Sequence, residues 1–214
     1  MDNEQGIEKF YDKYLMAKSY PYEEYRHKNI DDFILSAVKP SDKVLDLACG
    51  TGRILKKFKN KQLFGCDISR KALTKVPKNV KTKHANLEKK LPYKDNEFNC
   101  IILREVLEHI INRKLLFSEI YRIMKKDGRL IITTPNKYST IYIPYAILSR
   151  IAMQPVEEWL SHGQIEKSLK ESGFAVERFE TIHFFPWHSY LPEFFLPVVK
   201  KIDSWSRNNR WNRN

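Results

Sequence analysis

One stretch, Lys43 to Leu55, restricts what this chain can fold into more than any other part of the sequence. A short apolar run ends at Asp46, a turn follows through Gly50 and Gly52, and a helix-like pattern begins after the turn. This order is typical of a buried strand, a tight turn and a helix start, which together form a pocket of nucleotide size. Glycines in such a turn allow the backbone to approach a ligand closely.

The next apolar run, Leu63 to Asp67, also ends in an acid. An acid at the tip of the second strand is placed to accept hydrogen bonds from both ribose hydroxyls of a nucleoside. A nicotinamide or flavin dinucleotide site would require a third glycine, in the pattern G-x-G-x-x-G, where this chain has Leu55. The pattern therefore favours a ligand that carries an adenosine but no phosphates.

The stretch from Asp46 to Gly52 resembles motif I of the class I S-adenosylmethionine-dependent methyltransferases, D-x-G-x-G-x-G, with Ala48 at the first glycine. Further motifs follow at the family's spacing over residues 40 to 136: an adenine-binding loop from 84 to 88, an L-P-F-x-D-x-x-F-D-like segment from 91 to 99, and a segment from 104 to 110 that faces the reacting methyl group in this family. Asn86 stands where the family usually has an acid. Its carbonyl and amide groups can still read the edge of an adenine.

The resemblance implies an α/β fold with a doubly wound, Rossmann-like and mostly parallel sheet. It predicts a single methyltransferase domain over residues 1–214, with an N-terminal helical cap (1–35), a cofactor-binding core (40–136) and a substrate-side region with an aromatic and basic tail (137–214). A helix is expected over 164–172. Alternating apolar and polar residues predict a sixth strand over 174–181. The sequence contains no convincing seventh strand.

The resemblance further implies that S-adenosylmethionine is the cosubstrate. Ile68 is expected to stack under the adenine, and the Arg104 backbone carbonyl to accept from the methionine amino group. The complete predicted cofactor-binding set is Asp46, Ala48, Gly50, Gly52, Asp67, Ile68, Asn86, Leu87 and Arg104.

The segment after the fourth strand carries the predicted catalytic residues. His109 is the candidate general base, because histidine accepts protons near neutral pH. Glu105 is expected to face the sulfonium or amino end of the cofactor. Glu105, Glu108 and His109 also resemble a divalent-metal motif of quinone-biosynthesis O-methyltransferases and small-RNA 2′-O-methyltransferases, so Mg²⁺ is an open alternative that is not favoured. In the RNA enzymes a further histidine completes this metal site. His162 lies near that position in this sequence but is displaced from it.

The chain has a formal net charge of +12. Residues 53 to 90 carry thirteen Lys or Arg residues and two acids, so nearly all of the excess lies in the cofactor half of the predicted fold. Substrates are expected near the ends of strands four and five instead. The charge therefore indicates a solvated face and argues against a nucleic-acid partner, although such a segment could still follow phosphates.

Three cysteines, Cys49, Cys66 and Cys100, fall in or beside predicted buried strands with a spacing that fits no metal motif. They are predicted to be buried small hydrophobes. The polar N-terminus predicts no signal peptide, and no segment has the roughly 18 uncharged apolar residues of a membrane span. We therefore expect a reduced, cytoplasmic setting.

An aromatic and apolar stretch from Phe184 to Val199 precedes basic residues and two tryptophans. This tail suits peripheral contact with a membrane surface, and equally a helix packed on the sheet. Together with the apolar segment from Tyr138 to Met153, it favours methyl transfer to oxygen, nitrogen or carbon of a small, apolar or lipid-linked acceptor. The alternatives are an RNA 2′-O-type methyltransferase and a non-catalytic relative that binds S-adenosylmethionine. The acceptor, the attacked atom and the oligomeric state stay open.

Overall fold

The computed structural model describes residues 4–15, 21–59, 62–137 and 158–180. Within these ranges the α-helices are α1 (Glu4–Tyr14), α2 (Pro21–Ala37), α3 (Arg70–Leu73), α4 (Arg113–Ile123) and α5 (His162–Glu171). The strands are β1 (Val44–Leu47), β2 (Leu63–Asp67), β3 (Lys81–His84), β4 (Phe98–Arg104) and β5 (Met124–Thr133). Short 3-10 helices cover Leu55–Lys57 and Leu107–His109.

The strands form one sheet in the order β3-β2-β1-β4-β5, and every neighbouring pair is parallel. Asp46 pairs with Gly65 of β2 and with Ile102 of β4, which places β1 at the centre. The strand order changes direction between β1 and β4, as it does in a doubly wound sheet. The α/β, Rossmann-like fold predicted from the sequence is confirmed.

Each face of the sheet carries its own hydrophobic core. On one face Leu45 and Leu47 belong to the core that α4 completes, and on the other face Val44 and Ile102 belong to the core that α2 completes. All four side chains are 0% exposed. A parallel strand covered on both faces is apolar at nearly every position, and Asp46 is the one polar residue of β1. This is why short apolar runs were sufficient to locate the central strands.

The three cysteines are buried and free, as their spacing predicted. Burial raises the pKa of Cys66 and of Cys100 to about 12, so both thiols stay protonated at neutral pH. They act as small apolar side chains in the sheet.

Three elements differ from their predicted form. The helix expected after Gly52 is a single 3-10 turn, because only the residues 53–62 separate that glycine from β2. The sequence pattern predicts a fifth strand over 129–134, whereas β5 begins at Met124, and its regular pairing with β4 resumes at Arg129 after a bulge. Residues 174–180 form no strand, so that prediction is wrong for the described part of the segment.

The reason lies in what covers residues 174–180. Phe174 packs edge-on against Tyr121 of α4, whereas Val176 and Phe179 are exposed, so no single face of the segment is buried. The predicted helix is present as α5, which Ser161 caps. The C-terminal tail and any seventh strand lie outside the described residues. Among the described helices, none has the length and apolar character needed to cross a bilayer.

Candidate cofactor site

The carboxyl ends of the parallel strands meet at one edge of the sheet, and the predicted site residues gather there. β1, β2 and β4 are in register, so Ala48, Asp67 and Arg104 lie at the same level, at the ends of their strands. In open α/β sheets the crevice beyond these ends, at the point where the strand order changes direction, is the usual ligand site.

The turn after β1 depends on left-handed backbone at three positions. The φ angles are 58° at Ala48, 53° at Gly50 and 73° at Gly52. A Cβ added to Gly52 would lie only 3.1 Å from a side-chain carbon of Val76, so both the backbone and the packing favour glycine there. The turn therefore presents bare backbone towards the crevice.

Asp67, at the end of β2, accepts a hydrogen bond from this turn and so connects the two segments. Its Oδ2 accepts from the Gly50 amide at 2.7 Å, and its Oδ1 accepts from the Ser69 amide at 2.8 Å. Burial raises the pKa of Asp67, while the amide bonds favour its ionised form. Since each carboxylate oxygen has about two acceptor sites, the group keeps acceptor capacity for a ligand.

Asp46 is a buried carboxylate with an unused oxygen. The residue is 2% exposed, and its Oδ1 has no hydrogen-bond partner among the described residues. Burial raises the pKa of Asp46 to about 8, against the opposing effect of Arg104 and with smaller contributions from the carboxylates of Asp67 and Asp31. A buried acceptor without a donor is unfavourable, and a cationic ligand group at this atom would stabilise the ionised form of Asp46, which burial otherwise disfavours.

The Arg104 side chain takes part in an ion-pair cluster around Asp31 of α2. Arg104 Nε donates to Asp31 Oδ1 at 3.0 Å, and Arg104 Nη2 lies 2.6 Å from His27 Nδ1. The other Asp31 oxygen lies 2.8 Å from Lys57 Nζ and 3.6 Å from Arg53 Nε. Asp31 is 0% exposed. Through these ion pairs it joins α2 to the end of β4 and to the segment after the motif I turn. The backbone of Arg104 is then the part suited to face a ligand.

The loop after β3 contains the predicted adenine-binding residues. Asn86 Oδ1 accepts from the Glu88 amide at 2.9 Å, and the Asn86 side chain lies beside Glu4 of α1. The Leu87 side chain belongs to the core, so only its backbone is suited to meet an adenine. Ile68, directly after β2, is half-buried.

Helix α1 lies along this edge of the sheet and carries three acids at four-residue spacing, Glu4, Glu8 and Asp12. Their partners are in the segments that follow β2 and β3: Glu4 pairs with Lys89, Glu8 with Arg70, and Asp12 with the Ser69 hydroxyl and the Lys71 amide.

The residue after α1 reaches the motif I turn. Leu15 lies 3.5 Å from the position that a Cβ on Gly50 would take. α1 therefore covers the crevice from the adenine loop to the motif I turn.

Glu105, Glu108 and His109 follow β4 directly. Glu105 has a φ of 54°, and its amide donates to the Thr133 carbonyl at 2.8 Å. Glu108 is 3% exposed, and its Oε2 accepts from the Thr134 hydroxyl at 3.0 Å. Its Oε1 lies 3.8 Å from His109 Nε2. Glu108 is thus placed to support the imidazole, and the neighbouring strand end fixes the loop.

Among the described residues, no group of three or more His, Cys, Asp or Glu side chains is arranged to hold a metal ion. Glu108 is engaged with Thr134, and the His162 ring stacks at 3.9 Å on Phe179. The Mg²⁺ alternative therefore stays a prediction from sequence resemblance.

Comparison with known proteins places this site in a family. Residues 22–191 match a family model described as a methyltransferase domain, and the chain belongs to that family. An uncharacterized protein of Methanocaldococcus jannaschii is 37% identical over 151 residues, which cover 67% of this chain and 57% of that protein. The ubiquinone/menaquinone biosynthesis C-methyltransferase of Pseudomonas fluorescens is 31% identical over 117 residues, covering 48% of this chain and 45% of that enzyme. This chain spans roughly half the length of these two relatives.

Solved structures show the same fold. A chain from the complex between the Haloferax volcanii Trm112 methyltransferase activator and a methyltransferase superposes with a TM-score of 0.70 at 18% identity, covering 85% of each chain. An S-adenosylmethionine-dependent methyltransferase from Thermotoga maritima gives a TM-score of 0.62 at 18% identity, covering 79% of this chain and 82% of that one. At these identities the likeness concerns the fold.

The chain thus belongs to a methyltransferase family and has the fold of S-adenosylmethionine-dependent methyltransferases, as the resemblance predicted, and this fold implies S-adenosylmethionine as the cosubstrate. The residues present fit that molecule. The bare-backbone turn can approach it closely, and the unpartnered Asp46 oxygen suits one of its cationic groups.

Several site residues were not found from the sequence. Asp31 gave no signal, because its cationic partners come from distant segments of the chain. The acids of α1 did carry a signal, since Glu4, Glu8 and Asp12 repeat every four residues and so share one face of a helix. Their partners could not be read from that spacing.

Proposed function

We propose that this chain transfers the methyl group of S-adenosylmethionine to an oxygen, nitrogen or carbon atom of a small, apolar or lipid-linked acceptor. The observation that carries the proposal lies at the end of β1. A turn of bare backbone at Gly50 and Gly52 adjoins a buried Asp46 oxygen that lacks a donor among the described residues. S-adenosylmethionine carries an ammonium, which can donate a hydrogen bond to this oxygen, and a sulfonium, whose charge favours the ionised carboxylate.

In this proposal each of the other predicted residues contacts a different part of the cofactor. Asp67 accepts hydrogen bonds from the ribose hydroxyls with the acceptor capacity that remains after its two amide bonds. Ile68 lies under the adenine, and the backbone of Leu87 meets the adenine edge. The Arg104 carbonyl accepts from the methionine amino group, because the Arg104 side chain is engaged with Asp31.

When bound, S-adenosylmethionine supplies an electrophilic methyl carbon: the acceptor atom's electron pair forms the new bond while the bond from carbon to sulfur breaks and its electrons go to the sulfur. The protein's contribution is to align the acceptor with that carbon and to exclude water. α1 suits the second task, since Leu15 lies against the motif I turn and the acids of the helix bind the loops on either side.

His109 is the proposed general base for an acceptor whose attacking atom carries a proton. Its ring lies 3.8 Å from the Glu108 carboxylate, which would favour the protonated imidazole after proton transfer. Its side chain is 14% exposed, so contact with solvent is limited but the ring is not fully buried. Glu105 faces the cationic end of the cofactor in this scheme.

The acceptor class rests on two supports. One relative is named a C-methyltransferase of ubiquinone and menaquinone biosynthesis, and those quinones are lipids. The segments 138–153 and 184–199, outside the described residues, are apolar and aromatic in sequence. A cytoplasmic location with peripheral membrane contact through the C-terminal tail belongs to the same proposal.

Methyl-group tracing tests this function. Labelled S-adenosylmethionine is incubated with the purified chain and fractionated cell extract, and label is measured in lipid, small-molecule and RNA pools. We expect label in the lipid or small-molecule pool, and its loss in Asp67→Ala. The matched control is Asp32→Ala, an exposed acid whose partner among the described residues is Lys28 on the same helix, α2. Label confined to RNA, with binding that weakens steeply as salt increases, would favour the RNA alternative. A chain that binds the cofactor without transferring label would be the non-catalytic relative.

A further inference from the structure

We propose that Glu4, on helix α1, supplies the carboxylate that recognises the 6-amino group of the adenine of bound S-adenosylmethionine. This inference rests on the proposed function and adds a specificity-determining residue to it. The residue comes from outside the strands and loops that form the rest of the cofactor site.

The first step concerns what Asn86 can offer. Its carbonyl oxygen is engaged with the Glu88 amide at 2.9 Å. That oxygen keeps one further acceptor site, whereas the amide nitrogen can only donate hydrogen bonds. A neutral amide oxygen already bound to one donor is a weaker acceptor for the 6-amino group of adenine than a carboxylate. The loop after β3 therefore benefits from a stronger acceptor that comes from another element.

Glu4 is an acceptor at that place. Its carboxylate accepts a hydrogen bond from the Lys89 ammonium and lies beside the Asn86 side chain, and both neighbours lower the pKa of Glu4. A carboxylate has about four acceptor sites, so capacity remains for a further donor. The Glu4 side chain is 37% exposed, which keeps the carboxylate accessible at the edge of the crevice.

The position of Glu4 does not depend on its own contacts alone. Asp12 Oδ1 accepts from the Ser69 hydroxyl at 2.5 Å, two residues after Asp67, and Glu8 Oε1 lies 3.4 Å from Arg70 Nε. Both acids lie on the face of α1 that Glu4 also occupies, because residues four apart lie above one another on a helix. With Glu8 and Asp12 bound to the segment after β2, the N-terminal turn of α1 presents Glu4 to the loop after β3.

The ion pair with Lys89 does not remove Glu4 from this role. The Lys89 side chain is 63% exposed, and an exposed ion pair contributes little to stability. Such a pair can adjust at low cost when a further donor arrives. Lys89 would then keep the carboxylate ionised, which strengthens its hydrogen bond to the adenine amino group.

The test compares two ligands by calorimetric titration of the full chain. One is S-adenosylhomocysteine, and the other is S-inosylhomocysteine, in which an oxo group replaces the 6-amino group. We expect the wild type to bind the adenosyl compound at least about tenfold more tightly, because the oxo group would face a carboxylate. In Glu4→Ala the two affinities should differ by less than about threefold, since the acceptor is gone.

Two further variants separate recognition from docking of α1. Glu8→Ala also removes an acid through which α1 contacts the rest of the protein. It should therefore lower the affinity for both ligands by the same factor and leave the ratio of the two affinities unchanged. Asn86→Asp, added to Glu4→Ala, places a carboxylate in the adenine loop itself and should restore the preference for the adenosyl compound. An unchanged ratio in Glu4→Ala, or a loss that matches Glu8→Ala, overturns the assignment of Glu4. Failure of the wild type to bind S-adenosylhomocysteine contradicts the proposed function instead.

Discussion

The backbone at Ala48 has a φ of 58°, in the left-handed region that residues other than glycine rarely adopt. This conformation costs an L-residue roughly 1–2 kcal/mol, which exceeds the extra chain entropy that glycine adds to the unfolded state. We therefore expect Ala48→Gly to raise the free energy of unfolding by about 0.5–1 kcal/mol, as measured by urea denaturation.

The control for this prediction is Ala85→Gly, a buried alanine at the end of β3 without a positive φ. It should lower the free energy of unfolding, because it adds flexibility without relieving strain. A destabilised Ala48→Gly protein would contradict the argument. In the sequence Ala48 was only a departure from the motif. The structure shows that the turn keeps its form despite the alanine.

Asp46 links stability to pH. Its pKa is about 8 in the folded protein against an ordinary value of 3.8, because burial disfavours its charge. At a pH between these two pKa values, Asp46 is deprotonated in the unfolded chain and protonated in the folded protein. The free energy of unfolding should therefore fall as pH rises through this window, by up to about 1.4 kcal/mol per pH unit for this one proton.

Asp46→Asn has no such proton, so its stability should depend less steeply on pH. Urea denaturation of both proteins at several pH values between about 5 and 8 makes the comparison. Asp67, whose pKa is also raised by burial, is present in both proteins, so the difference between the curves reports Asp46 together with its electrostatic interaction with Asp67. Parallel curves for the two proteins would contradict the assigned protonation of Asp46.

At the scale of elements, the strands could be predicted because their signals are local. β1 and β2 are apolar runs that end beside an acid, and burial on both faces leaves little else for such runs to form. The same local logic failed at 174–180. There the alternation was real, but neither face is buried. Periodicity indicates a strand only where another element covers one of its sides.

The arrangement of the site depends on contacts that no local pattern records. Arg104 and Asp31 are 73 positions apart in the chain, and Glu4 and Lys89 are 85 positions apart. Motif resemblance could place the strand ends and the glycine turn. The resemblance also implied an N-terminal helical cap, but it could not show the acid and base pairs that hold α1 there, since the completed sheet brings those pairs together.

Glu88 joins the adenine loop to the segment that precedes α4. Its Oε1 accepts from the Ile111 amide at 2.6 Å, and its Oε2 accepts from the Asn112 amide at 3.0 Å. In Glu88→Ala both amides would be left to solvent, so hydrogen exchange at residues 111 and 112 should accelerate. The loss of global stability should be about 1 kcal/mol, because both residues are exposed and water can replace the carboxylate.

Mass spectrometry of exchanged peptides measures this effect. Glu171→Ala, which removes an exposed acid from α5, serves as the matched control and should leave exchange at 111–112 unchanged. Unaltered exchange in Glu88→Ala would contradict the link between the two loops. A faster exchange confined to these residues would show that the Glu88 carboxylate holds the two loops together in solution.

At the scale of the whole molecule, the basic cofactor half is partly neutralised by acids from the N-terminal helices. Asp31 of α2 lies among Arg53, Lys57 and Arg104, while the acids of α1 pair with the basic segments after β2 and β3. The large positive charge of residues 53–90 therefore serves in part to hold α1 and α2 against the sheet. This use explains part of the charge without a nucleic-acid partner.

Ligand binding should be visible in the stability of the complete chain. At about 100 times its dissociation constant, S-adenosylhomocysteine should raise the free energy of unfolding by about 2.7 kcal/mol. For a chain of 214 residues, that corresponds to a rise in Tm of about 5–10 °C, measurable by scanning calorimetry. Asp67→Ala should lose most of the rise. NADH should cause none, because the position of the third glycine is occupied by Leu55, whose side chain is 1% exposed within the core. A comparable rise with NADH would mean that the turn after β1 accepts a pyrophosphate after all.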